Sequence, residues 1–481
     1  MQHTELASNL FPRLVTKACL LSGVLMAFLI AGCGGSTTTK TSTATSSTQT
    51  YFAPYVNGAA DIQDPLLYTV SNGADSTGTF SRTTYNPADG EVGPQVLSAG
   101  TLKVGERGLR SLEITAIYTP SGNNGGGYVS TSASEAGSFA VELADQAGGL
   151  VQMVGQAVQP LVAAKECPNF TSKQTYQFVT IPRYAAQDLT ISQNSLWNPT
   201  TDTAYGSADI VTSGSTVTFQ NIHQYTLPSV GGTGAPAQPS ASSVTGACGS
   251  TTLGYITGVP GQYVVENPGA GDAFSSQAAI GIGSTGLLVE DNGSTNGTMT
   301  GTSPTLHYEN VLGAGTGAVG LPKPSSDITS AVVGAQYLGF IYGAGEVSTD
   351  GVHGSTVLVP WSSHLASFGF STVPSSCSSV AASTGTLIYG GDFTNNDPTT
   401  SSNGFGNCDF AIDFGTQDAS NNGLYSQATV WIGSNYAANT TGKAYSFKAV
   451  AIAGQLNGKN AIFVIGYDST QPWAIYLLQS N

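Results

Sequence analysis

The residues of this chain whose types could do chemistry are five histidines, a few Asx-rich loops and four tryptophans, and their spacing decides how much. The histidines are His3, His223, His307, His353 and His364. None falls in H-E-x-x-H or in any other spacing that would set two ligands on one metal. His223 shares a face with apolar neighbours in STVTFQNIHQYTL, which predicts a packed ring bonded through one nitrogen rather than a catalytic base. No G-x-S-x-G elbow or Walker loop occurs, so activated-serine and phosphate chemistry have no local support.

Two loops are rich in side-chain oxygen. GGDFTNNDP gathers Asp392, Asn395, Asn396 and Asp397, and Ca²⁺ takes six to eight oxygen ligands of this kind. The spacing departs from the EF-hand loop, and Asx clusters beside proline more often bond their own backbone, so a turn is expected, with a weak Ca²⁺ site as the alternative. FGTQDASNNGLY, around Asp418 and Asn422, reads the same way. Carbohydrate recognition would use exposed aromatic faces, and Trp197, Trp361, Trp431 and Trp473 are candidates in a chain full of Tyr and Asn. Trp431 and Trp473 lie in strand-like stretches, where packing is the expected role. A glycosidase needs two carboxylates about 5 to 9 Å apart, and spacing alone cannot choose a pair among 29 acidic residues.

The N-terminal stretch carries a sharper signal. Arg13 and Lys17 precede an apolar run from Ala18 to Ile30, and small residues follow, which is the layout of an export signal. Thirteen residues of helix reach about 20 Å, short of a ~30 Å hydrocarbon core, so a permanent span is not expected. The four residues Ile30-Ala31-Gly32-Cys33 resemble the lipobox of bacterial lipoprotein precursors, in which the cysteine thiol is acylated and the chain is cut before it. The plainer alternative is that Cys33 merely lies past an ordinary export cut. A thiolate is the nucleophile that a thioether requires, and two or three acyl chains hold a protein firmly where one binds reversibly. Gly34 stands where family members retained at the inner membrane often carry Asp, so the resemblance implies the outer membrane where the cell has one.

Composition fits an exported protein. With 14 basic and 29 acidic residues, a net charge of -15 and no arginine after Arg183, the chain lacks the clustered cations that nucleic acid or an anionic membrane surface would need. Charged residues are only 9% of the chain, against about 25% in an average protein, so the surface must be mostly Ser, Thr, Asn, Gln and Gly. Besides Cys19 and Cys33 there are Cys167, Cys248, Cys377 and Cys408. An even number outside the cytoplasm favours two disulfides, and of the three possible pairings the neighbours in sequence are expected: Cys167 with Cys248, Cys377 with Cys408.

The elements that must position these residues are strands. Residues 34–50 contain no apolar side chain larger than alanine and read as a flexible tether after a signal peptide at 1–32. The all-β body then runs over 51–481, with Pro228 to Gly246 either a long surface loop or a split between two β-domains. QTYQFVTIP, NAIFVIGYD and WAIYLLQ are strands, the last two apolar on both faces and therefore central. The best helical candidate, Glu142 to Val158, is interrupted by Gly148, Gly149 and Gly155.

Four segments share an Ala-bearing strand, a Gly turn and a second apolar strand; aligned on Ala140, Ala208, Ala278 and Ala449 they lie 68, 70 and 171 residues apart. Two end in Gln-Pro pairs, Gln159-Pro160 and Gln471-Pro472. A unit of about 60 residues repeated some seven times suits a β-propeller of antiparallel sheets, with a β-barrel or β-sandwich as the alternative. The expected function is a lipid-anchored, non-enzymatic binding or scaffold module of the cell envelope, recognising an envelope protein or a glycan. The alternatives are a carbohydrate-active hydrolase with its site in a propeller channel, or a purely structural envelope component.

Overall fold

Alternation of apolar and polar residues makes strands, and here the strands close on themselves. The structure is a computed structural model that describes residues 47–53, 66–72, 77–84, 95–105, 108–120, 128–142, 148–152, 158–163, 170, 172–180, 204–214, 216–227, 236–237, 243–248, 252–253, 256–257, 262–267, 276–283, 286–295, 307–308, 317–343, 347–349, 356–358, 362–370, 386–392, 410–433, 445–467 and 472–480. All of these fall in one compact unit, Ser46–Asn481.

The first ring is an eight-stranded antiparallel barrel in simple sequence order: β1 (Ser47–Ala53), β2 (Leu66–Asn72), β3 (Thr77–Thr84), β4 (Gln95–Val104), β5 (Leu109–Pro120), β6 (Tyr128–Glu142), β7 (Gly148–Gln152) and β8 (Gln159–Ala163), which returns to pair with β1. β1 begins at Ser47, so the last four residues assigned to the tether from sequence belong to the strand.

The second ring follows the same order: β9 (Gln174–Thr180), β10 (Ala204–Ser213), β11 (Thr216–Thr226), β12 (Ser243–Cys248), β13 (Gln262–Asn267), β14 (Ser276–Ile282), β15 (Leu288–Thr295) and β16 (Gly317–Pro322). β9 pairs with both β10 and β16, and β10 pairs with β11, so this path also closes. The last four residues of the stretch 228–246 therefore belong to β12, and the rest joins it to its neighbour β11 in one barrel, so the stretch does not split two domains.

A short helix, α1 (Thr329–Val333), leads to the third ring: β17 (Tyr337–Gly343), β18 (Ser362–Phe370), β19 (Leu387–Asp392), β20 (Phe410–Asp413), β21 (Leu424–Ile432), β22 (Tyr445–Leu456), β23 (Lys459–Tyr467) and β24 (Pro472–Gln479), which closes on β17. Short accessory pairs, such as 347–349 with 356–358, decorate the connections.

The strands do not form four-stranded propeller blades. They form barrels, the alternative expected from sequence, and the repeating unit is a whole barrel. Three of the four aligned alanines mark the same place in each ring: Ala140 on β6, Ala278 on β14 and Ala449 on β22 are all on the sixth strand. Ala208, on β10, is the second strand of its ring and produced the misleading spacing near 60. Gln159-Pro160 opens the eighth strand of the first ring, and Pro472 of the second pair opens the eighth strand of the third. Within the helical candidate Glu142 to Val158, Glu142 instead ends β6 and 148–152 form β7, while 143–147 and 153–157 lie outside the described residues.

Each barrel interior is filled by side chains, as eight strands require. Tyr51, Tyr68, Phe80, Leu112 and Leu161 fill the first; Tyr176, Phe178, Ile210, Phe219 and Leu288 the second; Tyr337, Phe368, Ile412, Phe447 and Trp473 the third. Helix α1 seals one end of the third barrel with Val332 and Val333. Tyr337 Oη donates to the Val332 carbonyl at 2.7 Å, and Asn460 Nδ2 donates to the Ala331 carbonyl at 3.0 Å. Burial pushes the Tyr337 phenol far up, and pushes Tyr425 up to about 12 despite its bond to Thr329, so both stay protonated.

The opposite faces of several strands are apolar too, and these meet in a core between the barrels. Phe52, Leu150 and Val162 come from the first ring, Val179, Val289, Val319 and Leu321 from the second, and Phe340, Val450, Phe463 and Tyr476 from the third. This is why NAIFVIGYD and WAIYLLQ are apolar on both faces: in β24, Trp473, Ile475 and Leu477 point into the barrel while Ala474, Tyr476 and Leu478 point into the seam. Burying a side chain of this size contributes about 1.5–3 kcal/mol. Exposing half a dozen would cost as much as the ~5–15 kcal/mol that holds a typical domain folded, so the rings do not come apart in water.

The β22–β23 hairpin that feeds this seam turns through Asn457 (φ 49°) and Gly458 (φ 77°). Positive φ at both central residues is the type I′ geometry for which Asn-Gly is suited.

Candidate functional site

The expectation that His223 is packed fails at a bulge. β10 and β11 pair Asp209 with Gln220 and Ser207 with His223, so two residues, Asn221 and Ile222, oppose Ala208. Asn221 takes φ 52°, a conformation Asn tolerates better than most residues. Beyond it the alternation is reset: Ile222 enters the barrel and His223 is exposed.

The same bulge builds a carboxylate cluster that the sequence did not reveal. Asp209, on the outer face of β10, accepts from Lys173 Nζ at 2.8 Å, Asn221 Nδ2 at 2.8 Å and Thr175 Oγ1 at 2.7 Å. Burial by itself raises the Asp209 carboxyl, but the donors from Asn221, Lys173 and Thr175 outweigh it and hold the group below the usual carboxylate range. A carboxyl lowered by folding stabilises the protein above its unfolded-state range and loses that contribution as pH falls through the folded value. Lys173 is 53% exposed, which screens its share. Asp209→Asn is expected to cost about 1–2 kcal/mol at pH 7 and to cost progressively less towards pH 3, read as the difference in melting temperature across that range. A difference that stays constant with pH would remove the assignment.

The Asp418 loop is a turn, and a clamp. Asp418 N–H donates to the Leu424 carbonyl at 2.9 Å, and Asp418 Oδ1 accepts from Ser426 Oγ at 2.8 Å. The Asn422 carbonyl accepts from Gln177 Nε2 of β9 at 2.6 Å, and Asn422 Nδ2 donates to the Pro324 carbonyl at 3.3 Å. Lys323 Nζ donates to the Ser420 carbonyl at 2.7 Å. The Asp418 and Asn422 side-chain oxygens thus accept bonds from within the loop and β21, while the backbone carbonyls of Ser420 and Asn422 fasten the third barrel to the second. Tyr205 of β10 stacks on Tyr225 at 5.5 Å. Its phenol is pushed up to about 12 by burial first, with the Asp418 carboxylate and Tyr225 adding.

Trp473 packs inside the third barrel against Phe447 at 5.7 Å, as expected. Trp431 points outward from β21, part-exposed, and packs on an outer-face cluster of Leu387, Tyr389 and Ala411. Of the other candidates, Asp392 ends β19 and Cys248 ends β12, opposite Tyr263. Cys33, Cys167, Cys377, Cys408, Asn395, Asn396, Asp397, Trp197 and Trp361 lie outside the described residues. Among the described residues no three of His, Cys, Asp and Glu come together as metal ligands, and no helix is long and apolar enough to cross a membrane.

The molecule is an all-β, antiparallel protein of three successive up-and-down barrels sharing one seam. No protein-family model, no curated protein and no solved structure matches the chain.

Proposed function

We propose that the chain is a lipid-anchored protein of the cell envelope, held through Cys33 at the outer membrane, whose three-barrel body is a non-enzymatic binding or scaffold module for an envelope protein or a glycan. The observation that supports this best is how the body spends its apolar surface. Barrel interiors are packed and the facing outer walls are merged. Contact with a partner then falls to loops and free outer walls, presented on a rigid support. The rival hydrolase reading needed carboxylates around a propeller channel, whereas the barrel axes hold Tyr, Phe and Leu side chains. From Cys33 to Ser47 the chain would span roughly 20 Å as coil, enough to stand the body off a bilayer.

Export also implies oxidised cysteines. Phe170 N–H donates to Thr212 Oγ1, Thr212 lies opposite Val217, and Val217 lies opposite Gly246, two residues before Cys248. Cys167 is three residues from Phe170, within about 11 Å of chain, which suits a bond to Cys248.

The test is intact mass spectrometry of the protein from membrane fractions. A chain starting at Cys33 and carrying acyl mass is expected, and a full-length unmodified chain in the cytosol would overturn the anchor. Hydrolysis of an envelope polysaccharide by the purified body would overturn the non-enzymatic reading.

A further inference from the structure

An asparagine followed by glycine carries an electrophile and a nucleophile side by side: a side-chain amide carbon and, one residue on, a backbone nitrogen that no Cβ shields. Among the described residues this pair occurs at Asn292-Gly293, Asn422-Gly423 and Asn457-Gly458, and the fold gives each a different setting. Asn292 and Gly293 lie within the β14–β15 ladder, opposite Ala278 and Gln277.

Asn422-Gly423 is locked. The Gly423 N–H donates to Gln417 Oε1 at 2.7 Å, and the Asn422 carbonyl accepts from Gln177 Nε2 at 2.6 Å. The Asn422 side chain is held between Gln417 Nε2 at 3.2 Å and the Pro324 carbonyl at 3.3 Å. A Cβ at Gly423 would lie 2.3 Å from the Ala453 carbonyl oxygen, so this turn is packed hard against β22. Asn457-Gly458 is the opposite case. Both residues are exposed at the tip of the β22–β23 hairpin, and nothing lies within 4 Å of a Cβ at Gly458. Among the described residues the Gly458 amide has no hydrogen-bond acceptor.

We propose that Asn457 is a site of covalent self-modification, at which the Gly458 backbone nitrogen attacks the Asn457 side-chain carbonyl carbon and the chain acquires aspartate and isoaspartate. The new C–N bond closes a five-membered succinimide, and the side-chain amide leaves as ammonia with the proton that the Gly458 nitrogen gives up. Water then adds to one of the two ring carbonyls and breaks its bond to that nitrogen. Opening at the former side-chain carbonyl leaves aspartate; opening at the backbone carbonyl leaves isoaspartate, with the main chain routed through the former side chain. Water is the one co-reactant.

The closed turn is not the reactive form, because ring closure needs the Asn457–Gly458 peptide plane to swing round towards the side chain. Local opening of the tip supplies that swing. It frees Asn457 from φ 49°, a conformation unfavourable to a residue with a Cβ, and it disturbs the pairing of Leu456 with Lys459 alone. At Asn422 the same swing must first break the bonds to Gln417 and Gln177, which together slow it by about ten-fold or more.

Isoaspartate lengthens the main chain by a carbon at the first residue of a two-residue turn, so Leu456 and Lys459 lose their register. The next residue, Asn460, donates its side chain to the Ala331 carbonyl of α1 at 3.0 Å and its N–H to Gln479 Oε1 at 2.8 Å. On the other strand Gly454 packs against Leu321 of the second barrel. The modification thus loosens both the cap of the third barrel and the seam.

The test is incubation of the purified, folded protein in mildly alkaline buffer, followed by peptide mapping. The peptide that spans 457–458 is expected to gain about 1 Da and to separate into aspartate and isoaspartate forms. The peptide that spans 422–423 is expected to be about ten-fold less modified, and unfolding in urea should bring the two rates together. An Asn457 peptide that stays unmodified in the folded protein while it reacts in urea, or that reacts no faster than Asn422, overturns the proposal. The aged isoaspartate form is expected to unfold at lower denaturant than Asn457→Asp, which keeps the main-chain length, and equal midpoints overturn the link from this turn to the cap and the seam.

Discussion

Gly454→Val is expected to destabilise the protein by about 3 kcal/mol or more, and to leave little folded material at physiological temperature. Gly454 faces the seam from β22, and a Cβ placed there would lie 2.9 Å from Leu321 Cβ and 3.0 Å from the Pro322 carbonyl oxygen, both on the second barrel. Neither atom is the far end of a flexible side chain. The rings cannot slide apart to make room, because Gln177, Lys323 and Asn422 tie them together beside the contact. On the other side of the second barrel, a Cβ at Gly281 would meet the Phe52 ring at 3.0 Å, a tight approach that an aromatic edge can partly relieve. Gly454→Val should therefore be the more damaging of the two. Gly458→Ala is the control: nothing lies within 4 Å of its Cβ, and only the positive φ opposes it, for about 1 kcal/mol. Chemical denaturation of the three variants gives the order, and equal costs at Gly454 and Gly458 would refute the close-packed seam.

The second large effect concerns compartment rather than stability. On the proposed lipid anchor, Cys33→Ser is expected to move essentially all of the protein out of the acylated membrane pool, because a serine hydroxyl does not form the thioether and each buried CH₂ of the acyl chains would contribute about 0.8 kcal/mol of membrane affinity. Two forms are consistent with this: a chain released into the soluble fraction, or an uncut precursor held by the apolar run from Ala18 to Ile30. Gel mobility and intact mass separate them. Mature-sized protein still bound to membranes in the variant would dispose of the lipid anchor, since the net charge of -15 provides no electrostatic substitute on an anionic bilayer.

Much of the fold was legible because period-two alternation is a local property. The strands at QTYQFVTIP, NAIFVIGYD and WAIYLLQ could be read residue by residue, and their two-sided apolarity announced a second core without saying what it packed against. The repeat was visible as well, but its period was not. Ala140, Ala278 and Ala449 mark equivalent sixth strands, and only pairing in space distinguishes them from Ala208 on a second strand. The site was less legible for a physical reason. His223 was misplaced by one bulge at Asn221, and a single extra residue exchanges the two faces of every position after it. The Asp209 cluster draws Lys173 and Thr175 from β9 and its approach and Asn221 from β11 to a carboxylate on β10, and no spacing in one sequence encodes that. The Asp418 loop was rightly read as a turn, but its role as a fastening depends on Gln177, 245 positions away.

Each strand of the three rings has a hydrogen-bonded neighbour on both sides. Among the described residues no ring therefore ends in a free edge strand, the element that a second copy would extend, although β6 pairs with β7 only over Phe139–Glu142. In the proposed anchored state copies would collide continually on a crowded membrane, and the absence of a free end strand in each ring works against their growth into fibres.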